Sequence, residues 1–375
     1  MTLYAGLMSG TSLDGVDAVL AEWPADGHTR PVERGFVHLD MPQALRRELL
    51  ALNAEGSNEL HRAALAANAL AEWYALALQR LLREVGVGPG QVRAVGAHGQ
   101  TVRHRPREFD GTGYTVQLLN GALLAERCGI DVVCDLRARD VAAGGQGAPL
   151  VPAFHAEVFR GEAGEDVAVL NLGGIANLTL LPADGNAAVR GFDCGPGNLL
   201  LDLCCERHFG ERFDEGGRIA ASGRVDADLL RRCLADPFFE RAPPKSTGRD
   251  LFDAHWLDRH LARGPALAPE DVLATLAELT AAAACQALAR YAVGTRQLLV
   301  CGGGAFNGHL MSRLAALAGP RVEVASTTTQ GIAPDRVEAL AFAWLARAHC
   351  ERRAGNLSAV TGAAGPRVLG ALYPA

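Results

Sequence analysis

The hydrophobic positions of this chain of 375 residues fall into short apolar runs that end in glycine-rich turns, and into longer stripes with helical spacing. The first run begins at Tyr4, is interrupted by small polar residues between Ser9 and Gly15, and resumes to Leu20. This alternation predicts a β-hairpin. A concave turn without bulky side chains can bind a phosphate through its N–H groups, although for a single turn an ordinary tight hairpin is the favoured explanation.

Two similar arrangements recur later in the chain. Residues 169–181 predict another hairpin, whose turn holds Gly173 and Gly174. Residues 298–307 predict a buried strand that runs into three glycines and then into a helix. This recurrence favours phosphate binding as the interpretation of the first turn.

Strands alternate with helices along the rest of the chain, and the second half repeats the predicted topology of the first. Residues 57–85 carry a helical apolar stripe, with Ser57 as the predicted cap and Leu60 as the first apolar contact. Pro42 is predicted to open a shorter helix. The other predicted strands are residues 35–39, 92–97, 114–117, 130–134, 189–193 and 322–325, and the other helices are residues 119–128, 199–209, 226–234, 269–291, 310–317 and 335–344.

The length of the chain predicts two domains, because 375 residues exceed what one compact core usually holds. The glycine-rich run at residues 141–149 suits a join that must bend. We therefore expect domains at residues 1–145 and 146–375, with the final helix, 335–353, packing near the join.

Composition excludes several classes of protein. A net charge of −6 leaves no basic footprint for nucleic acid. Nine scattered cysteines without C-x-x-C spacing argue for reduced thiols and against a zinc site. The N-terminus lacks a signal-peptide profile and no apolar run reaches membrane-spanning length, so we expect a cytoplasmic protein without a membrane partner. Among 36 basic residues only Lys245 is a lysine, which we interpret as codon usage without functional weight.

Polar side chains cluster just after several predicted strands, where open α/β sheets bind ligands. Gln100 and Thr101 follow residues 92–97, although His98 and Gln100 could equally satisfy a turn. Arg137 lies in the segment DLRARD, which could be an anion site or a solvated cluster of ion pairs. The residues Lys245-Ser246-Thr247 suggest a phosphate-binding P-loop, but the spacing of that motif is absent and we reject it.

Two carboxylates have structural and functional interpretations. Asp193 is predicted at the end of a strand, immediately before a helix N-terminus, where a helix cap and a functional carboxylate are about equally supported. Glu338 lies in the first turn of the final helix, where a carboxylate is favoured by the helix dipole alone.

Two glycine hairpins followed by a strand, three glycines and a helix resemble the actin, hexokinase and heat-shock chaperone ATPase superfamily. The resemblance implies two ribonuclease-H-like α/β domains with mixed sheets flanked by helices, and an active site in the cleft between the domains. One position departs from that superfamily: Met8 stands where an aspartate usually precedes the first glycine turn.

A closer resemblance is to the anhydro-N-acetylmuramic acid kinase family. It rests on segments spread in order over nearly the whole chain: GLMSGTSLDGVDAVL, HGQT at 98–101, DLRARD at 135–140, NLGGIANLT at 171–179, FDCGPGN at 192–198, KSTGRDLF at 245–252, CGGGAFN at 301–307 and PDRVEALAFAWLA at 334–346. The pair Met8-Ser9 is typical of this family.

This resemblance implies a kinase of cell-wall recycling. Water would attack C1 of 1,6-anhydro-N-acetylmuramic acid while O6 takes the γ-phosphoryl group of ATP, giving N-acetylmuramate 6-phosphate and ADP. It also implies Mg²⁺, held mainly by phosphates and waters, and a homodimer. Which carboxylate meets the ion, Asp14, Asp17 or another, is open.

The resemblance assigns roles to particular residues. Asp193 would be the base that activates water. The sugar and its lactyl carboxylate would be bound by Gln100, Thr101, Arg137 and, with weaker support, Glu338. The nucleotide would be bound by Gly10, Thr11, Ser12, Leu13, Asp14, Gly15, Val16, Asp17, Gly173, Gly174, Asn177, Gly302, Gly303, Gly304 and Asn307.

Two alternatives stay open at this stage. The chain could be another sugar or carboxylate kinase of the same superfamily with a different acceptor. It could also be a nucleotide-gated binding protein, although no stretch of the 375 residues suggests a peptide-binding domain or a filament insert.

Overall fold

The structure is a computed structural model that describes residues 1–10, 12–24, 30–161, 164–248 and 251–375. The chain divides into two compact units, which we call unit 1 (residues 1–158 and 336–375) and unit 2 (residues 159–335). Strands and helices are numbered along the whole chain.

Unit 1 is built on a mixed sheet of six strands. The order across this sheet is β13-β7-β4-β1-β2-β3, and β5 and β6 form a separate two-stranded hairpin. The strands are β1 (Thr2–Met8), β2 (Gly15–Trp23), β3 (Val32–Asp40), β4 (Val92–Ala97), β5 (Gln100–Pro106), β6 (Gly113–Leu118), β7 (Val132–Cys134) and β13 (Ala371–Tyr373). The helices are α1 (Gln43–Ala51), α2 (Glu59–Val85), α3 (Gly121–Cys128), α4 (Ala138–Ala142), α5 (Val151–Val158), α13 (Val337–Cys350) and α14 (Ser358–Thr361).

Unit 2 is built on a five-stranded sheet in the order β10-β9-β8-β11-β12. The strands are β8 (Asp166–Leu172), β9 (Ile175–Leu181), β10 (Arg190–Pro196), β11 (Thr295–Cys301) and β12 (Glu323–Ser326). The helices are α6 (Leu199–Phe209), α7 (Arg218–Ser222), α8 (Ala227–Leu234), α9 (Pro237–Glu240), α10 (Ala254–Leu261), α11 (Pro269–Tyr291) and α12 (Gly308–Ala318).

The two sheets share one topology. In each unit the first three strands form an antiparallel meander, and the fourth and fifth lie parallel to the first. This is the ribonuclease-H-like strand order, so the predicted fold class and the predicted repeat of topology are confirmed.

Both faces of the unit 1 sheet are covered by helices. On one face, Leu7 of β1 packs in a core with Leu70, Tyr74 and Leu78 of α2. On the other face α13 lies so close that a Cβ added at Gly6 or Gly96 would overlap backbone atoms of that helix. Burial on both faces explains why β1 and β4 read as near-continuous apolar runs.

The long helix α11 supports the unit 2 sheet. Its residues pack with Leu298 and Val300 of β11 and with Leu310 and Leu314 of α12. Among the described residues it is the helix that length and hydropathy would allow to cross a membrane, and 83% of its apolar window is buried within the protein. Such burial is typical of the core helix of a soluble domain.

Several boundaries differ from those predicted. The helix expected from Ser57 begins at Glu59, preceded by Asn58 in a left-handed conformation, and Leu60 is 90% exposed, so the prediction of a Ser57 cap with a buried Leu60 was wrong. Pro42 precedes the first turn of α1 instead of lying in it. The division between the units also differs from the expected boundary near residue 145, because α5 and the final helix α13 both pack in unit 1.

The close approach of α13 to β1 gives a stability prediction. Gly6→Ala should lower the free energy of unfolding by at least ~1–3 kcal/mol, the usual cost of overpacking a core, because the added methyl meets a backbone carbonyl that cannot rotate away. Denaturant unfolding measures the change.

The matched control is Gly90→Ala, where the added Cβ meets nothing within 4 Å. This variant should stay within ~0.5 kcal/mol of the parent. Equal stability of both variants would contradict the packing of α13 on β1.

Candidate active site

The turn between β1 and β2 is held from beneath by a buried polar network. Ser9, 1% exposed, has its Oγ 2.8 Å from the hydroxyl of Tyr74 and donates to the carbonyl of Gly99 at 3.2 Å. The backbone of Leu13 takes a positive φ of 54° and donates to the carbonyl of Gly10 at 3.2 Å. The turn is therefore fixed by contacts that lie away from its open side.

Not every residue predicted to bind nucleotide can do so through its side chain. Leu13 and Val16 are 2% and 0% exposed and belong to the core, so only their backbone atoms could reach a phosphate. Gly15 fits against the ring of His38, which a Cβ would overlap. Thr11 lies outside the described residues.

The carboxylates of this turn have defined neighbours. Asp14 Oδ1 accepts hydrogen bonds from the Ser12 hydroxyl at 2.7 Å and from the Gly15 N–H at 3.0 Å. Asp17 Oδ1 lies 2.7 Å from His38 Nδ1, and this hydrogen bond raises the pKa of the imidazole. Asp14 remains exposed on the turn.

The end of β4 brings the predicted sugar-binding residues to the same turn. Gln100, 2% exposed, donates from Nε2 to the carbonyl of Gly10 at 3.2 Å, and its Oε1 is buried with no hydrogen-bond partner among the described residues. A buried acceptor of this kind can accept a hydrogen bond from a ligand. Thr101 Oγ1 accepts from Gln117 Nε2 at 3.2 Å.

His98 is a neutral acceptor for Arg137. Its Nδ1 lies 3.1 Å from the carbonyl of Ser9, an acceptor, so Nδ1 carries the proton and Nε2 is bare. Nη2 and Nε of Arg137 approach that Nε2 at 3.0 and 3.3 Å. Burial, together with the positive charge of Arg137, lowers the pKa of His98 to about 3 and keeps the ring neutral.

The hydrogen bonds of Arg137 to the protein use only part of its guanidinium. The edge formed by Nε and Nη2 faces His98, and one Nη1 hydrogen goes to the carbonyl of Gly147 at 2.9 Å. The remaining hydrogens on Nη1 and Nη2 form the fork that binds a carboxylate in bidentate fashion. Burial lowers the pKa of Arg137 to about 10, opposed by the negative charges of Glu338 and Asp140, so the group stays cationic.

The segment 135–140 is not a cluster of ion pairs. Asp140 is fully buried and accepts hydrogen bonds from Asn356, Thr361 and the Gly147 N–H. Within this fully described range no salt bridge joins an arginine to an aspartate. Asp140 thus orders the loop whose Gly147 carbonyl orients Arg137, which leaves the anion-site interpretation of the segment.

In unit 2 the glycine turn between β8 and β9 is joined to the start of α6. Gly173 and Gly174 accept backbone hydrogen bonds from Gly197, Asn198 and Leu199 at 2.9 to 3.1 Å. A Cβ at Gly197 would overlap the Gly173 carbonyl, so position 197 has room only for glycine. By contrast, a Cβ at Gly173 or Gly174 would meet nothing nearer than 3.6 Å, so the outer side of the turn is open.

The three glycines after β11 differ in whether the structure has room for a side chain at their position. Gly302 has φ 79° and lies against Leu172. A Cβ added at Gly304 would stand only 2.6 Å from the Cβ of Leu172. Gly303 has open space, with Asn198 Nδ2 3.9 Å away. Asn307 Oδ1 caps α12 by accepting from the Leu310 N–H at 2.9 Å, so its side chain has a structural function.

A row of polar residues crosses the unit 2 sheet. Asn171, Asn177 and Asp193 are directly opposed on β8, β9 and β10, so their side chains share one face. The neighbouring residues Phe192 and Cys194 point to the opposite face, into the core with α11. Asp193 therefore stands at the end of this polar row.

Asp193 does not lie where the sequence predicted. β10 continues to Pro196 through a register shift after Asp193, and α6 begins only at Leu199, so the predicted position at a strand end beside the helix N-terminus was wrong, as was the helix-cap alternative. Its partner is the loop after α9: Asp193 N–H donates to the Lys245 carbonyl at 3.1 Å, and Oδ2 accepts from the Thr247 N–H at 2.9 Å.

The environment of Asp193 sets its protonation. Burial raises the pKa of Asp193 to about 6, opposed by the Thr247 hydrogen bond and the charge of Lys245. This shift is opposite in sign to the one that a helix N-terminus beside the carboxylate would cause. A carboxylate with a pKa near 6 is still mostly ionised at neutral pH and is a better base than an ordinary aspartate.

The sequence analysis missed Tyr74, Asn198, Lys245 and Thr247. Thr247 supplies an N–H to Asp193, and its hydroxyl is buried with no partner among the described residues. The signal available was the isolation of Lys245 as the single lysine of the chain, which we had interpreted as codon usage. Tyr74 carried no signal, because its spacing on α2 matched an ordinary core position.

Open glycine turns on corresponding hairpins of two ribonuclease-H-like units, with a carboxylate of raised pKa on one sheet, are compatible with the class of ATP-dependent sugar kinases. The chain belongs to the anhydro-N-acetylmuramic acid kinase family, whose model matches residues 2–375. The resemblance noted from the sequence is therefore confirmed.

Curated relatives agree over their full length. The anhydro-N-acetylmuramic acid kinase of Variovorax paradoxus is 59% identical over 376 residues, covering 100% of this chain and 99% of that protein. The enzyme of the same name from Cupriavidus pinatubonensis is 55% identical, covering 99% and 98%.

Solved structures with similar chains are distant. A glucokinase of the ROK family from Streptomyces griseus, in complex with glucose and AMPPNP, is 14% identical with a TM-score of 0.41, and covers 92% of this chain and 99% of that one. A likeness this low supports no conclusion about activity.

The open space at Gly10 gives a prediction for nucleotide binding. A Cβ there would meet only Ser12, at 3.6 Å or more, so Gly10→Val should fold normally. Its branched side chain would fill the open side of the turn and raise the KM for ATP without changing sugar affinity. Steady-state kinetics with each substrate varied measures both, and an unchanged KM for ATP would contradict phosphate binding by this turn.

The raised pKa of Asp193 gives a pH prediction. If Asp193 must be ionised to act as a base, kcat/KM should fall as pH drops through about 6, and by about tenfold for each further pH unit. A rate that stays constant down to pH 5 would mean that the essential carboxylate has an ordinary pKa.

Proposed function

We propose that this protein is an ATP-dependent kinase that opens the anhydro ring of 1,6-anhydro-N-acetylmuramic acid and phosphorylates O6. Water adds to C1, the C1–O6 bond breaks, and O6 takes the γ-phosphoryl group, giving N-acetylmuramate 6-phosphate and ADP with release of one proton. The observation that carries the proposal is the Asp193 carboxylate, partly buried on a sheet face and raised in pKa to about 6, in a chain of this family.

Asp193 is the base in this reaction. Its Oδ2 is bound to the Thr247 N–H, whereas Oδ1 has no hydrogen-bond partner among the described residues and can accept the proton of the attacking water. The buried hydroxyl of Thr247 can hold the same water. Because O6 becomes a competent nucleophile only as C1–O6 opens, loss of the base stops ring opening and phosphoryl transfer together.

The glycine turns bind the phosphates of ATP. Gly10, Gly173, Gly174 and Gly303 each leave open space where another residue would place a side chain. N–H groups in such turns stabilise phosphate oxygens. Phosphoryl transfer needs mainly positioning and charge neutralisation, which fixed backbone donors provide without reorganisation.

Arg137 anchors the lactyl carboxylate of the sugar. Its free fork on Nη1 and Nη2 matches a carboxylate, and His98 together with the Gly147 carbonyl fixes the plane of the guanidinium. The buried Oε1 of Gln100 accepts a hydrogen bond from a sugar hydroxyl or amide. Glu338 contributes its charge beside Arg137.

Mg²⁺ fits the described residues. No group of three or more metal-ligating side chains is present among them, and this ion is commonly bound by phosphates, waters and one or two carboxylates. Asp14 is the candidate, because it is exposed on the phosphate turn and both of its hydrogen bonds reach Oδ1. When bound, Mg²⁺ neutralises charge on the transferring phosphoryl group. We further propose a cytoplasmic homodimer with a small-molecule substrate and no nucleic-acid or membrane partner.

Isotope labelling tests the function. With Mg-ATP and the anhydro-sugar in H₂¹⁸O, the quenched product should be a phosphorylated sugar carrying one ¹⁸O at C1, with ADP formed in equal amount. Product incubated in labelled water serves as the exchange control. ADP formation with plain N-acetylmuramate or glucose instead would identify another acceptor kinase, and turnover without any sugar would favour a nucleotide-gated binding protein.

Replacing the base gives the sharpest mutational prediction. Asp193→Asn keeps an acceptor for the Thr247 N–H but removes basicity, so kcat should fall by ~10²–10⁴ for both steps. Calorimetry should show ATP and sugar binding preserved. A variant that phosphorylates at the parent rate, or one that has lost nucleotide binding, would refute the role of base.

Arg137→Ala tests the anchor of the carboxylate. Sugar binding should weaken by ~2–5 kcal/mol, as when one member of a buried charge pair is removed, and ATP affinity should hardly change. The matched control is Arg139→Ala, an exposed arginine on the same short helix, which should bind sugar normally. Equal losses for sugar and ATP would mean that Arg137 is structural.

A further inference from the structure

We infer that Lys245 is a positioning residue for the reaction: its ammonium anchors the loop 243–248 to α9, and this anchorage holds the Thr247 N–H on the carboxylate of Asp193. The inference rests on the proposed role of Asp193 and names a residue that acts only through it.

The composition singles out this position. The chain has 36 basic residues and uses arginine at every one except residue 245. Where a cation only needs to be solvated or to pair on the surface, arginine and lysine both serve, and this chain has arginine in each such place. A single lysine in such a chain directs attention to what its ammonium contacts, because an ammonium and a guanidinium are not interchangeable at a confined site.

The geometry shows what that site requires. Lys245 Nζ donates to the carbonyls of Phe238 and Phe239 at 3.2 and 3.4 Å, and lies 4.5 Å from the centre of the Phe238 ring. Two carbonyls and an aromatic face suit a compact ammonium with three donors. A planar guanidinium is larger and carries its donors in a fixed fork, so we expect an arginine to lose at least one of these contacts.

The anchor is itself rigid. Asp236 caps the N-terminus of α9: its Oδ1 accepts from the Phe238 N–H and its Oδ2 accepts from Trp256 Nε1, both at 2.9 Å. Phe238 is fully buried and packs edge-on against Phe252. A Cβ at Gly195 would stand 2.8 Å from the Phe239 ring, so α9 lies directly against β10, two residues beyond Asp193.

The loop transmits this anchorage to the base at two points. The Lys245 carbonyl accepts from the Asp193 N–H at 3.1 Å, and two residues later the Thr247 N–H donates to Oδ2 at 2.9 Å. The first contact fixes the position of the loop along β10, and the second binds the ionised carboxylate. If the ammonium is lost, the loop keeps no other side-chain anchor to α9 among the described residues.

Among the residues that the structure describes, two side chains and one backbone group interact electrostatically with Asp193. Lys245 and the Thr247 N–H favour the ionised carboxylate, and the thiol of Cys194 interacts with both Asp193 and Lys245. Arg290 and Arg241 act on Lys245 by charge repulsion. Loss of the Lys245 side chain therefore removes a charge and loosens a hydrogen bond, and both changes raise the pKa of Asp193.

The test compares Lys245→Met and Lys245→Arg with the parent. In Lys245→Met the acid limb of kcat/KM should move up by about one pH unit, so that kcat/KM at a given acid pH falls by about tenfold. The plateau at high pH and the KM for ATP should change little. The Thr247 amide should lose protection from hydrogen exchange. In Lys245→Arg the positive charge remains, so the acid limb of kcat/KM should move up by less than in Lys245→Met. The Thr247 amide should still lose protection from hydrogen exchange.

The control is Arg290→Met, which removes an equal charge from an exposed side chain that acts on Lys245 and donates to the Glu240 carbonyl at 3.5 Å but has no hydrogen bond to the described residues 243–248. It should retain the parent profile and protection. Parent behaviour of Lys245→Met, or full protection of Thr247 in Lys245→Arg, overturns the inference. These failures differ from failure of the proposed function, which would be recognised by an active Asp193→Asn variant.

Discussion

Partial removal of the Asp193 carboxylate from water is the constraint on which the proposed chemistry depends. A solvated aspartate is a weak base, and a fully buried one would be protonated and inactive. Burial on the face of the unit 2 sheet raises the pKa of Asp193 to about 6, and the Thr247 N–H with the Lys245 charge opposes that rise. The balance leaves the group ionised at neutral pH with more basicity than an ordinary aspartate.

One topology serves two different tasks in the two units. In both, the first hairpin presents an open glycine turn and the fourth strand runs into polar or glycine-rich residues at its carboxyl end. In unit 1 that strand leads to His98 and Gln100, which contact Arg137 and Gly10. In unit 2 it leads to the three glycines, and the carboxylate that we propose as the base lies on the third strand instead. The fold fixes backbone donors, and local side chains decide what each unit binds.

Local patterns predicted the fold well, because hydrophobic periodicity and turn residues act over short distances. β4 was predicted at its observed bounds, as were α6 and α11. Asp193 was misplaced because the strand continues to Pro196 past the unpaired residue Cys194, whereas the glycines and proline at 195–197 were interpreted as the turn before the helix. Contacts between distant segments were beyond reach: Thr247 meets Asp193 across 54 residues, and His98 meets Arg137 across 39. Each depends on how helices pack, which one sequence does not reveal.

A direct titration of Asp193 tests the account most simply. In the ligand-free protein labelled with ¹³C at aspartate side chains, the Asp193 signal is assigned by its absence in Asp193→Asn and followed from pH 3 to 8. The account predicts a midpoint near pH 6, far above the exposed aspartates in the same spectrum. A midpoint close to 3.8 would show a solvated carboxylate and would contradict the central claim that burial tunes this base.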